Sequence, residues 1–120
     1  MTVRKTSSSN YSNQVFLEER CALNELIGLL SKRWITEVLF SIEEGNNRFT
    51  TLKADLKLIS DNILADRLKA LEENQFISKV SFPEIPPRVE YTLTAAGHEL
   101  ARLLGTLCDF SELNMNEAAP

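Results

Sequence analysis

The hydrophobic pattern of this chain leaves helical spacing for one short stretch after Leu71 and returns to it after Leu93, and that excursion limits the fold. Up to Leu71 the apolar residues return at helical spacing. Trp34, Ile35, Val38, Leu39 and Ile42 fall at i, i+1, i+4, i+5 and i+8, one buried stripe of a helix, and Gly45-Asn46-Asn47 stops it. Leu52 and Leu56 face inward from a short helix over 51–56 that Thr50 can cap. Lys57 to Ile59 connect it to a longer helix, capped by Ser60 and ending near Asn74 as a left-handed terminator. The inward stripe of that helix is Ile63, Leu64, Leu68 and Leu71. The period then drops to two. Phe76, Ile77, Val80 and Phe82 mark a β-branched and aromatic strand, and Pro83, Pro86 and Pro87 break it. Val89, Tyr91 and Leu93 alternate with Arg88, Glu90 and Thr92 as a second, half-buried strand. Two strands around a proline-rich tip make a hairpin, looped too widely for a tight two-residue turn. Thr94 can cap a last helix with Ala96, Leu100, Leu103, Leu104 and Leu107 on one face.

Before Trp34, a further helical stripe runs through Phe16, Leu23, Leu26, Ile27 and Leu30, with a break near Ser31. Residues 1–13 are rich in Ser, Thr and Asn and read as a flexible arm. Residues 14–110 read as one domain whose terminal helices serve dimerisation, and 111–120 as a loose tail. A chain of 120 residues buries a core without disulfides or metals. The fold class is mainly α with one small β-hairpin, an α+β arrangement in the order helix, helix, short helix, turn, helix, hairpin, helix.

Composition narrows the chemistry. One histidine, His98, and two distant cysteines, Cys21 and Cys108, make no metal site by spacing. Four scattered glycines form no phosphate-cradling loop. No residue is singled out as catalytic, no cofactor is expected, and nothing argues for an enzyme. No apolar run approaches the roughly 20 residues of a membrane span, and Met1 to Asn10 lacks the apolar core of a signal peptide, so a cytoplasmic location is expected. The net charge is −4, with the whole deficit in residues 89–120; residues 32–88 carry nine basic and nine acidic groups. A basic face in that middle segment therefore requires the fold to sort the signs.

Two short-linked helices over 51–74 have the dimensions of a helix-turn-helix, and a hairpin directly after the second makes it winged. A helix fits the major groove of B-DNA, and a hairpin tip can reach an adjacent phosphate or the minor groove. Here the residues resemble a known family, the HxlR-type winged-helix transcriptional regulators of bacteria, relatives of the MarR group. The matching segments are Leu30-Ser31-Lys32-Arg33-Trp34, Arg48-Phe49-Thr50-Thr51-Leu52, Ile59-Ser60, and Leu64, Leu68 and Leu71-Glu72-Glu73. The most specific is Pro86-Pro87-Arg88-Val89-Glu90-Tyr91-Thr92-Leu93-Thr94, followed by Gly97. The chain departs from the family's usual glycines at Ser31, Lys32 and Gln75, and from its proline at Ala22. The resemblance implies a homodimer on a palindromic or near-palindromic operator, commonly a repressor. In some members the N-terminal cysteine responds to electrophiles or oxidants.

Removing the buried stripe of helix 60–74 leaves Ser60, Asp61, Asn62, Ala65, Asp66, Arg67 and Lys69 outside. Asn pairs with adenine and Arg with guanine, so Asn62 and Arg67 are the candidate base readers, with Lys69 beside them; the competing reading is a solvated helix face. Ser60 is a phosphate contact or a cap. Asp61 and Asp66 oppose phosphate and suit cytosine contacts or the helix dipole. Arg48 and Lys53 are placed to contact the DNA backbone, as are Lys32 and Arg33. Arg88 is either a phosphate or minor-groove contact or one half of an Arg–Glu pair supporting the hairpin.

Trp34 reads as core, and His98 as a solvated or interface residue. Leu100, Leu103, Leu104, Leu107 and Phe110, together with Phe16 and Leu17, form the candidate dimer surface. Cys21 follows Arg20 near a helix start, features that favour a reactive thiolate, and it is the candidate redox sensor. A Cys21–Cys108 bridge between subunits is one pairing these ends allow. The alternative to a DNA-binding regulator is a protein-interaction module on the same fold.

Overall fold

The computed structural model describes residues 22–115. The chain divides into two compact units, 1–33 and 34–120. The boundary falls inside the stretch expected as one domain, where the helical run is interrupted between Ser31 and Trp34. The arm and the residues Phe16, Leu17 and Cys21 lie outside the described residues.

In the first unit, α1 spans Ala22–Leu30. The Ser31 amide donates to the Ile27 carbonyl at 2.9 Å and its hydroxyl to the Gly28 carbonyl at 2.9 Å, closing the last turn. The break expected near Ser31 is there.

In the second unit, α2 covers Ile35–Glu43. Ile35, Val38, Leu39 and Ile42 are buried as the periodicity requires. Trp34 departs from the expectation of a core residue. It is half-buried and stands just before the helix with φ 77°, a left-handed conformation that turns the chain into α2 rather than continuing its stripe. Ser41 is the buried polar residue of this helix. Its hydroxyl donates to Asp55 at 2.6 Å and accepts from the Asn46 amide at 3.0 Å, tying α2 to the next helix.

That helix, α3, spans Phe49–Leu56, starting before the expected Thr51. The residue flanking its start is Arg48, not Thr50. The Thr51 hydroxyl reaches back to accept from the Arg48 amide (3.2 Å) and donate to its carbonyl (3.0 Å), which draws Phe49 and Thr50 into the first turn. Lys57 leaves the helix at φ 57°, and Ile59 is buried in the connection.

Ser60 caps α4, Asp61–Glu73, accepting from the Ile63 amide at 3.1 Å. Leu64, Leu68 and Leu71 are buried against the core, with Ile63 half-buried. The expected left-handed terminator is shifted by one residue. Asn74 stays at φ −90°, its side-chain amide donating to the Ala70 carbonyl at 2.8 Å, and Gln75 takes φ 66°. The Phe76 amide then closes the end on Leu71 at 2.9 Å.

Strands β1 (Ile77–Phe82) and β2 (Arg88–Leu93) pair antiparallel, from Ile77 opposite Leu93 to Phe82 opposite Arg88. Thr94 then caps α5, Ala95–Met115. Its hydroxyl accepts from the Gly97 amide at 3.0 Å and donates to the Gln75 carbonyl at 2.8 Å, pinning the start of α5 to the end of α4. Gly97 is required by space: a Cβ there would lie 2.0 Å from the Phe76 carbonyl oxygen. The helix continues past Phe110 to Met115, where a loose tail was expected, with the Asn114 amide donating to the Phe110 carbonyl at 2.8 Å. Among the described residues, no helix is long and apolar enough to cross a membrane.

Candidate nucleic-acid interface

Helices α3 and α4 meet through a short turn anchored by buried Ile59, and the hairpin follows α4 directly. The anchoring fixes which way α4 faces. With Leu64, Leu68 and Leu71 inward, the face left to solvent carries Asp61, Asn62, Ala65, Asp66 and Lys69. Asn62 and Lys69 stand where the sequence placed them. Ser60 is exposed at the cap, with its hydroxyl engaged by the Ile63 amide.

Arg67 stands differently from the expectation. Its side chain is only 15% exposed and pairs with the neighbouring Asp66 carboxylate. It lies four residues from both Ile63 and Leu71, about 40° around the helix from each, so it stands on the inner arc of the helix rather than on its outer face. It does not stand out toward a base edge.

Three of the other basic candidates are held by carboxylates. The Lys53 ammonium lies 3.2 Å from Asp61 and joins α3 to the start of α4. The Arg48 guanidinium lies 3.9 Å from Glu90, across the gap between α3 and the hairpin. Arg88 is bound most closely. Its Nη2 is 3.3 Å from Glu84, its Nε is 3.3 Å from Glu90, and its guanidinium stacks 4.0 Å from the centre of the Phe82 ring. Nε is buried and lies near Glu90 without the alignment of a hydrogen bond. Of the two readings of Arg88, this geometry is that of a brace within the hairpin. Arg48 and Arg88 nevertheless line one open cleft of about 450 Å³, with the loop residues Glu84 to Pro87 as its far wall.

Sequence reasoning missed a second cleft, between α4 and the hairpin, to which Lys79 and Tyr91 contribute. These two are opposite one another in the strand register and share one face of the hairpin. Only the pairing brings residues twelve positions apart together, so helical spacing gave no signal.

The candidate dimer surface is also corrected in part. Leu100 and Leu104 are buried within the protomer and belong to its core. Leu103, Leu107 and Phe110 remain outside, the last two 55% and 57% exposed, and Leu113 and Met115 extend the apolar strip. Cys108 is exposed beside it. His98 is exposed on the first turn of α5.

A capped helix set against a shorter one through a buried turn, with an antiparallel hairpin immediately after, defines a winged helix-turn-helix protein. The chain belongs to the HxlR-like helix-turn-helix family, whose model matches residues 29–119. It is similar to YtfH, an HTH-type transcriptional regulator of Escherichia coli, at 34% identity over 99 residues, covering 82% of this chain and 79% of the relative. Among solved structures, YtfH of Salmonella typhimurium matches with a TM-score of 0.70 at 34% identity, covering 83% of this chain and 89% of that one. The reduced form of the transcriptional regulator YodB from Bacillus subtilis matches with a TM-score of 0.72 at 30% identity, covering 78% and 92%. YodB is also known in diamide-treated and quinone-bound forms. This chain is a helix-turn-helix transcriptional regulator.

Proposed function

We propose that the protein acts as a homodimer that binds a near-palindromic operator in double-stranded DNA, as a repressor. The observation that carries this reading is the outer face of α4, polar and exposed among the described residues, with the hairpin following it directly in the chain. In it, Asn62 reads a base edge. Ser60, Lys69, Lys53 and Arg48 serve the phosphates that set the register. Arg67 and Arg88 hold the shape of helix and hairpin. The strip formed by Leu103, Leu107, Phe110 and Leu113 meets a second copy, aided by Phe16 and Leu17. Two recognition helices then address half-sites about 34 Å apart.

A small electrophile or oxidant is the proposed effector, acting through Cys21, as the diamide-treated and quinone-bound forms of YodB suggest by analogy. The test is a gel shift on a selected operator with and without diamide. Loss of affinity on oxidation that disappears in Cys21→Ser supports the sensor; an unchanged response in that variant removes it.

The alternative, a protein-interaction module without DNA, is favoured by the net charge of −4 and by the ion-paired state of Arg48, Lys53 and Arg88. Salt separates the two readings. Phosphate neutralisation gives a log–log slope of about −0.9 per contact, whereas an apolar protein interface gives little slope.

A further inference from the structure

The cleft between α4 and the hairpin, about 420 Å³, is lined by two lysines and one carboxylate. Its floor is Phe49 and Leu68, and its walls carry Lys69 from α4 and Lys79 and Tyr91 from the two strands. Both lysines are exposed, and neither is in an ion pair among the described residues. Glu72, the carboxylate of this cleft, stands outside ion-pair distance of either, so the cleft carries a net positive charge. Burial, helped by the negative charge of Glu72, holds the Tyr91 phenol above its ordinary value of 10.0. Like any phenol, its hydroxyl keeps its proton at neutral pH and can donate.

Groove geometry gives this place a role. A helix in the major groove and a hairpin reaching the adjacent minor groove stand on either side of the sugar–phosphate ridge that separates the grooves. The gap between them must then hold an anion. We propose that this cleft seats one backbone phosphate of the bound duplex, clamped between the ammonium groups of Lys69 and Lys79 with the Tyr91 hydroxyl as a third donor. The proposal rests on the DNA-binding reading above and adds Lys79 and Tyr91 to the contact surface. A phosphate clamp positions without reading sequence, so its loss weakens all duplexes alike.

The test is fluorescence anisotropy of the full chain with two labelled duplexes, the operator recovered by selection and an unrelated sequence, from about 50 to 200 mM salt. In Lys79→Ala, affinity falls by one common factor on both duplexes. The log–log slope becomes shallower by about 0.9 per lost contact, or about 1.8 for a dimer. Lys79→Arg keeps the wild-type slope, and Glu72→Gln tightens both duplexes. Unfolding midpoints confirm that each variant is folded. An unchanged slope in Lys79→Ala, with the wild type binding normally, overturns the clamp alone. So does a loss confined to the operator, which would make Lys79 a base reader. Failure of the wild type to bind either duplex at low salt overturns the clamp and the DNA-binding reading together.

Discussion

Helices α4 and α5 start alike and differ in what they leave outside. Ser60 caps one and Thr94 the other, and each buries a leucine stripe against the same core. In α4 that stripe takes nearly all the large apolar side chains, and what remains exposed is Ala65 with the polar Asp61, Asn62, Asp66, Lys69, Glu72 and Glu73. In α5 the core ends at Leu104, yet the sequence stays apolar through Leu107, Phe110, Leu113 and Met115. A polar outer face suits water and the floor of a groove. An apolar one exposes surface whose burial is worth about 25 cal/mol per Å², and it suits a second protein surface. The contrast divides the labour proposed here: α4 for nucleic acid, the far half of α5 for a second copy.

The largest expected effect comes from breaking that division on the α5 side. Leu107→Asp combined with Phe110→Asp should yield a monomer in sedimentation while leaving the protomer folded. Operator affinity should fall by about a hundredfold or more, because two half-sites would no longer be engaged together. A doubly substituted chain that remains dimeric would take α5 out of the interface.

Next in size is a contrast within α5 itself. Gly97→Ala drives a methyl group into the Phe76 carbonyl and should cost about 1–3 kcal/mol in denaturant unfolding. Gly105→Ala, whose added carbon meets nothing within 4 Å, should instead stabilise by up to about 1 kcal/mol.

On the α4 side, Asn62→Ala should relax preference at one base pair of each half-site by about 1–3 kcal/mol, read by competition with point-mutated operators. Arg67→Ala should leave base preference intact and lower stability. Equal loss of specificity in both variants would return Arg67 to the groove.

The smallest expected effect lies at the end of α4. Gln75 holds φ 66°, a conformation that costs a side chain about 1 kcal/mol, so Gln75→Gly should raise stability by no more than that, measured from the unfolding midpoint.

The elements that were legible in the sequence share one property: their signals are local. The stripe Ile35, Val38, Leu39, Ile42, the Ser60 and Thr94 caps and the proline-tipped hairpin are each set within about two turns of chain. The resemblance to the HxlR-type regulators, resting mainly on 86–94, pointed to the family whose model matches residues 29–119. What was not legible depended on partners distant in sequence or on competition between neighbours. Arg67 was read as outward because it is charged, yet it stands one turn from both Ile63 and Leu71 and its guanidinium pairs with Asp66. Leu100 and Leu104 matched the apolar strip of α5, yet only the packing decides where the core stops. Asn74 was a fair terminator by residue type, and the hydrogen bond of its side chain to Ala70 moved the turn to Gln75. That is the position where the family usually carries glycine, so a signal was present in the departure itself.

The most direct measurement is a selection of duplexes from a random pool on the purified chain, followed by sequencing. The account expects enrichment of an inverted repeat whose half-site centres lie about 10 base pairs apart, the spacing of two recognition helices related by a two-fold axis. A pool that stays random after repeated rounds at low salt, or one enriched for a single unrepeated site, would contradict it.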